Sequence, residues 1–118
     1  MKREISASSQ YTDYTSIQHG KQRFSVHYSF NGPYEGSFVA QISEIHPYDD
    51  ADYVWAKINA NGRIDYIKNG RVIDRAQLPD YIEEDYEDVN EYYNEMIDMV
   101  AVDIMDMNRS IKPVMIHN

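Results

Sequence analysis

Two Asn-Gly pairs, Asn61-Gly62 and Asn69-Gly70, constrain what this chain can fold into more than any other feature. They separate three short runs rich in β-formers, "YVWAKIN", "RIDYIK" and "RVIDRA". Asn-Gly supplies the positive φ angles of a tight hairpin turn, so these runs are expected to be consecutive antiparallel strands. A parallel sheet would need a crossover between neighbours, and no helical stretch separates them. Upstream, Phe24, Val26, Tyr28 and Phe30 alternate with Ser25, His27 and Ser29, the period of a half-buried strand that starts at Gln22. "NGPYEG" at 31–36 reads as a turn, "SFVAQISEI" as another strand and "HPYDDAD" as an acidic loop. The expectation is an antiparallel meander of about four to five strands within residues 22–75.

A different period takes over after Pro79. Asp80 with Glu83, and Asp88 with Glu91, each have the spacing of a capping box and mark two alternative helix starts. One bent helix and a short turn followed by a long helix are both compatible with residues 80–107. Val89, Tyr93, Met96, Ile97, Val100, Ile104 and Met107 recur at helical steps and would cover the sheet, with Glu91, Glu95, Asp98 and Asp106 on the other side. A helix over 89–107 would run roughly 28 Å. The fold class expected is α+β, a small meander packed by a C-terminal acidic amphipathic helix in one domain. Trp55 and the methionines at 96, 99, 105 and 107 read as core and interface filling. Residues 1–21 are polar and without periodicity, hence a mobile or loosely docked arm. The tail 108–118 is expected to return as an edge strand or packed end, Pro113 opposing a helix.

The net charge of −9 is confined to one segment. Residues 1–79 carry nine Lys/Arg and nine Asp/Glu, residues 80–107 carry eleven acids and no base, and two bases follow. Such a local field repels nucleic acid and anionic membranes and favours a basic protein partner. Like charges at i, i+4 cost a helix about 0.2–0.5 kcal/mol per pair, whereas a surface needing only solubility could mix signs. Carboxylates on adjacent turns lie about 5–6 Å apart, comparable to backbone phosphates, so a rigid acidic helix can present a phosphate-like row to a nucleic-acid groove. Tyr81, Tyr86, Tyr92 and Tyr93, interleaved with the acids, would add contact area. The plainer reading is a solvated helix face.

At "DYEDVNEYYNEM", residues 85–96, the chain resembles the acidic C-terminal segment of small phage-type anti-CRISPR proteins that inhibit type II-A RNA-guided nucleases. The hairpin "KINANGRIDYI" adds a second likeness, an acid just after the turn, and together the two cover about a fifth of the chain. The resemblance implies a small antiparallel sheet with helices, and acids that occupy the nuclease groove reading the duplex PAM. It puts Glu87, Asp88 and Glu91 in that acidic patch and makes Asp65 the acid of the hairpin. The family continues with acids where this chain has Val89 and Asn90, and its N-terminal helix has no counterpart in residues 1–21. The partner-binding set expected is Asp65, Glu83, Glu84, Asp85, Glu87, Asp88, Glu91 and Glu95, with Tyr86 and Tyr92 as aromatic anchors.

Catalysis has little to build on. His19, His27, His46 and His117 are scattered, and "DDAD" at 49–52 lacks the glycine and terminal glutamate of a calcium loop. There is no glycine-rich phosphate loop, and the carboxylates are too abundant to single out an acid–base pair. The absence of cysteine excludes disulfides, thiolate metal sites and a thiol nucleophile. No signal peptide or membrane span is apparent, so a cytoplasmic protein is expected, with neither catalytic activity nor cofactor. Its expected partner is a guide-loaded type II CRISPR nuclease. Two other readings are an immunity or antitoxin-like protein that binds a basic toxin enzyme, and a non-catalytic accessory domain of a phage or mobile element. Arg63, Lys68, Arg71 and Arg75 form a basic set on the meander that would pair internally or face a second surface.

Overall fold

The structure is a computed structural model and describes residues 11–29, 38–45 and 53–116, with side chains described as far as Arg109. The chain forms the strands β1 (Asp13–His19), β2 (Gln22–Ser29), β3 (Val39–Ile45), β4 (Trp55–Ile58), β5 (Arg63–Lys68) and β6 (Arg71–Gln77), with period-two alternation of burial in β2, β3 and β4. A short 3-10 turn (Glu83–Asp85) leads into the helix α1 (Val89–Ile116). All neighbouring strands pair antiparallel in the order β1-β2-β3-β4-β5-β6, a meander in which each strand lies beside its sequence neighbours. The fold is α+β.

The sheet has six strands rather than four or five. The addition is β1, which occupies part of the expected arm at residues 1–21; residues 1–10 lie outside the described residues. β1 is an edge strand in which only Ile17 and His19 are partly covered, so it carries no apolar alternation to betray it. Its turn is Gly20-Lys21, with Gly20 at φ 61°, the first-position glycine of a two-residue hairpin loop.

Of the two Asn-Gly pairs, Asn69-Gly70 behaves as expected, with φ of 54° and 76°. At the other, only Gly62 has positive φ, 87°, and the loop is longer. Gly62 N–H donates to Asn59 O and Asn59 N–H donates to Arg63 O, closing a turn that ends in a glycine bulge. A Cβ on Gly62 would stand 2.7 Å from Gln77 Nε2, the far end of a flexible side chain that can move aside, so the positive φ is what favours glycine there.

One sheet face carries Phe24, Val26, Ala40, Ile42, Ala56, Ile58, Ile64 and Tyr66, all buried. The helix lays Tyr93, Met96, Ile97, Val100, Ala101 and Ile104 against it across β3 and β4. Burying each of the large aliphatic side chains stabilises the fold by about 1.5–3 kcal/mol. Two polar ties fix the helix to the sheet. Tyr66 Oη donates to Asp103 Oδ2 at 3.0 Å. Buried Asn108 accepts the Val54 N–H at 2.8 Å and donates to Glu44 Oε1 at 3.0 Å.

Met96 is buried and Met99, Met105 and Met107 pack against the core, as expected. Trp55 differs. It alternates with buried Val54 and Ala56, so it lies half-buried on the sheet face turned away from the helix. The helix also continues through Pro113 to Ile116, where a non-helical tail was expected. Proline removes one amide donor, but a ladder already several turns long propagates past a single lost bond. The expected turn at 31–36, the loop at 46–52 and the alternating residue Phe30 lie outside the described residues.

Candidate functional site

The acidic segment begins where β6 ends. Of the two possible helix starts, Asp88 is the one used. Glu91 N–H donates to Asp88 Oδ1 at 3.0 Å, and Glu91 Oε1 accepts the Glu87 N–H at 2.8 Å. This is a capping box with its return bond moved one residue upstream. At the earlier start, Ile82 precedes the 3-10 turn without a side-chain cap, so Asp80 and Glu83 do not form the box their spacing suggested. The segment is therefore a short turn followed by a long helix.

Glu83, Glu84 and Asp85 make up the 3-10 turn and are all exposed, as are Glu87, Asp88, Glu91 and Glu95. The structure thus brings seven of the expected carboxylates together on one end of the molecule. Further along the helix, Asp98 and Asp106 continue the exposed side, and 91 to 106 spans about 22 Å. Among the described residues, no Lys, Arg or His forms an ion pair with any of those seven. Asp98 has His19 Nε2 3.5 Å away. The helix N-terminus, with its partial positive charge, stabilises Asp88 and Glu91.

The tyrosines hold this ridge rather than decorate it. Tyr92 is buried, and its hydroxyl donates to the Pro79 carbonyl. Tyr81 packs against both Tyr92, at 5.3 Å between ring centroids, and Tyr86, at 6.0 Å. Tyr93 stacks on Phe38 at 4.4 Å. The Tyr86 phenol is pushed up to about 12 by its hydrogen bond to Glu95, by desolvation and by the nearby carboxylates of Glu95 and Asp85. Tyr92 is raised by burial, then by Tyr93 and Asp80. Of the two expected anchors, half-buried Tyr86 borders the exposed surface, whereas Tyr92 lies beneath it as a support. Phe38 and Pro79 complete the cluster; Pro79 was read only as the boundary before the helical period, and Phe38 was not foreseen because it lies just before β3, with no local pattern that links it to the helix start.

Asp65 does not join the ridge. It alternates with Ile64 and Tyr66, whose side chains face the helix, so Asp65 lies on the opposite sheet face and is 6% exposed. Arg63 Nε and Arg75 Nε approach its Oδ1 at 3.2 and 3.3 Å, and Asn59 Nδ2 donates to Oδ2 at 3.1 Å. Burial alone would raise its pKa, but the Asn59 bond, the Arg63 charge and the bonds from Arg63 and Arg75 bring it below the ordinary carboxylate value. This is a structural cluster in which one acid is held by two bases, so a net positive charge remains on that sheet face. It also answers where part of the basic set goes, since Arg63 and Arg75 pair with Asp65 and leave the acidic ridge without them.

Among the described residues, no group of three or more His, Asp or Glu is arranged to hold a metal ion, and no helix is long and apolar enough to cross a membrane. What the surface offers is a fixed array of negative charge on an aromatic base. The chain matches no protein-family model, no curated protein and no solved structure.

Proposed function

We propose that the protein is a stoichiometric, non-catalytic inhibitor whose acidic ridge occupies the nucleic-acid groove of a nuclease, a guide-loaded type II CRISPR effector in the host cytoplasm. One observation carries the reading: seven clustered carboxylates stand exposed and, among the described residues, without basic partners, while Arg63 and Arg75 are engaged at Asp65 on the far sheet face. A surface left this unneutralised is repulsive to itself and attractive to a positive groove. The resemblance of residues 85–96 to anti-CRISPR proteins supplies the class of nuclease.

The test is competition binding to guide-loaded type II nucleases, with and without PAM-containing duplex added first. Binding that prior duplex prevents, and that weakens with salt, is the expected result. Glu83→Lys, Glu84→Lys and Glu87→Lys together leave the Asp88 cap in place and are expected to weaken binding by about a hundredfold or more. Undiminished binding by that variant would remove the ridge from the interface. No binding to any such nuclease would withdraw the CRISPR effector and turn the search to basic toxin enzymes.

A further inference from the structure

Beside the ridge, a cleft of about 270 Å³ opens between the β4–β5 hairpin, the segment joining β6 to the helix, and the first turns of the helix. Phe38, Tyr81, Tyr92 and Tyr93 supply aromatic walls, and Asp80 and Asn61 supply polar groups. No lysine, arginine or histidine is among its described lining residues. The volume is at the lower end for ligand pockets, which run from about 300 Å³. It suits one long side chain.

The walls decide which kind. A tyrosine face carries negative quadrupolar charge and attracts a cation within about 6 Å, more strongly where water is partly excluded. Tyr92 and Tyr93 are buried while Tyr81 is 38% exposed, so the tyrosines run from the interior of the molecule to its surface. The Asp80 carboxylate and the field of the neighbouring acids favour the same sign. An anion would be repelled, and a neutral apolar group would gain nothing from Asp80.

We propose that this cleft receives a single arginine or lysine side chain, held against the exposed ring of Tyr81, which Tyr92 and Tyr93 support from beneath, and compensated by Asp80. The source of that side chain rests on the proposed function, a basic protein partner docked on the ridge. The preference for a cation rests on the cleft itself. A charge-reading ridge would then have an adjacent socket, which limits the relative positions the partner can take.

The test uses the full chain and no partner. Butylguanidinium and butylammonium are titrated into the protein and followed by NMR at the tyrosine rings, with the neutral isostere butylurea in parallel. Saturable shifts at Tyr81 and Tyr92 are expected for the cations at about millimolar concentration, with Trp55 on the far sheet face unmoved. Tyr81→Ala is expected to weaken the cations about fivefold or more, and Tyr81→Phe to retain them, because the ring and not the hydroxyl supplies the attraction. Equal binding of butylurea, or no saturable shift with either cation, overturns the proposal. As no nuclease is present, that failure leaves the ridge to be judged by the competition experiment, and failure of the competition leaves the cleft to be judged here.

Discussion

Asp65 is a carboxylate whose surroundings fix its role. With two guanidinium groups and one amide around it, Asp65→Asn is expected to cost about 1–2 kcal/mol, toward the low end for charge-assisted bonds because the Arg63 and Arg75 side chains are 47% and 62% exposed. Its folded pKa is lowered. The stabilisation is therefore complete above about pH 4 and is lost as pH falls through the folded value. Urea midpoints of the two proteins are expected to differ at pH 7 and to converge in acid; equal midpoints at neutral pH would show the cluster to be energetically idle. Partner binding by folded Asp65→Asn is expected to be unchanged. The placement of Asp65 was legible from period-two alternation, since its neighbours Ile64 and Tyr66 are the apolar ones. Its arginine partners were not, because Arg75 comes from another strand and reaches Asp65 only through the β5–β6 register.

At the scale of elements, the helix is nucleated by Asp88 and held down by Asn108. Asp88→Ala removes the acceptor of the Glu91 N–H and is expected to cost about 0.5–2 kcal/mol, whereas Asp88→Asn keeps an acceptor and most of the stability. Thermal unfolding of the pair separates capping from charge, and equal losses for both variants would show that the charge matters and the cap does not. The helix face was readable residue by residue, because every position from Val89 to Met107 with apolar spacing packs on the core. The strands β2, β3 and β4 were readable for the same reason. β1 was not, since "DYTSIQH" buries almost nothing; its remaining signal was Gly20 at the head of a two-residue loop. β6 is just as exposed and was found only because Asn69-Gly70 precedes it. Edge strands are visible through their turns more than through their hydropathy.

For the whole molecule, a net charge of −9 that arises from residues 80–107 opposes folding and, under the proposed function, assists association. Raising ionic strength until the Debye length falls to about 8 Å is therefore expected to raise the melting temperature while weakening partner binding. A melting temperature that fell with salt would place the repulsion elsewhere. Every strand in this meander pairs with its neighbour in the chain, so the sheet can zip up hairpin by hairpin through short loop closures. The helix that roofs it is synthesised after all six strands. A nascent sheet thus emerges from the ribosome with Phe24, Val26, Ile42 and Ile58 bare, and the carboxylates of residues 80–95 appear before the apolar run of the helix is complete. Charge arrives at the moment the growing chain is most prone to stick to its neighbours, so the acids of the proposed recognition surface are also placed to keep nascent chains apart.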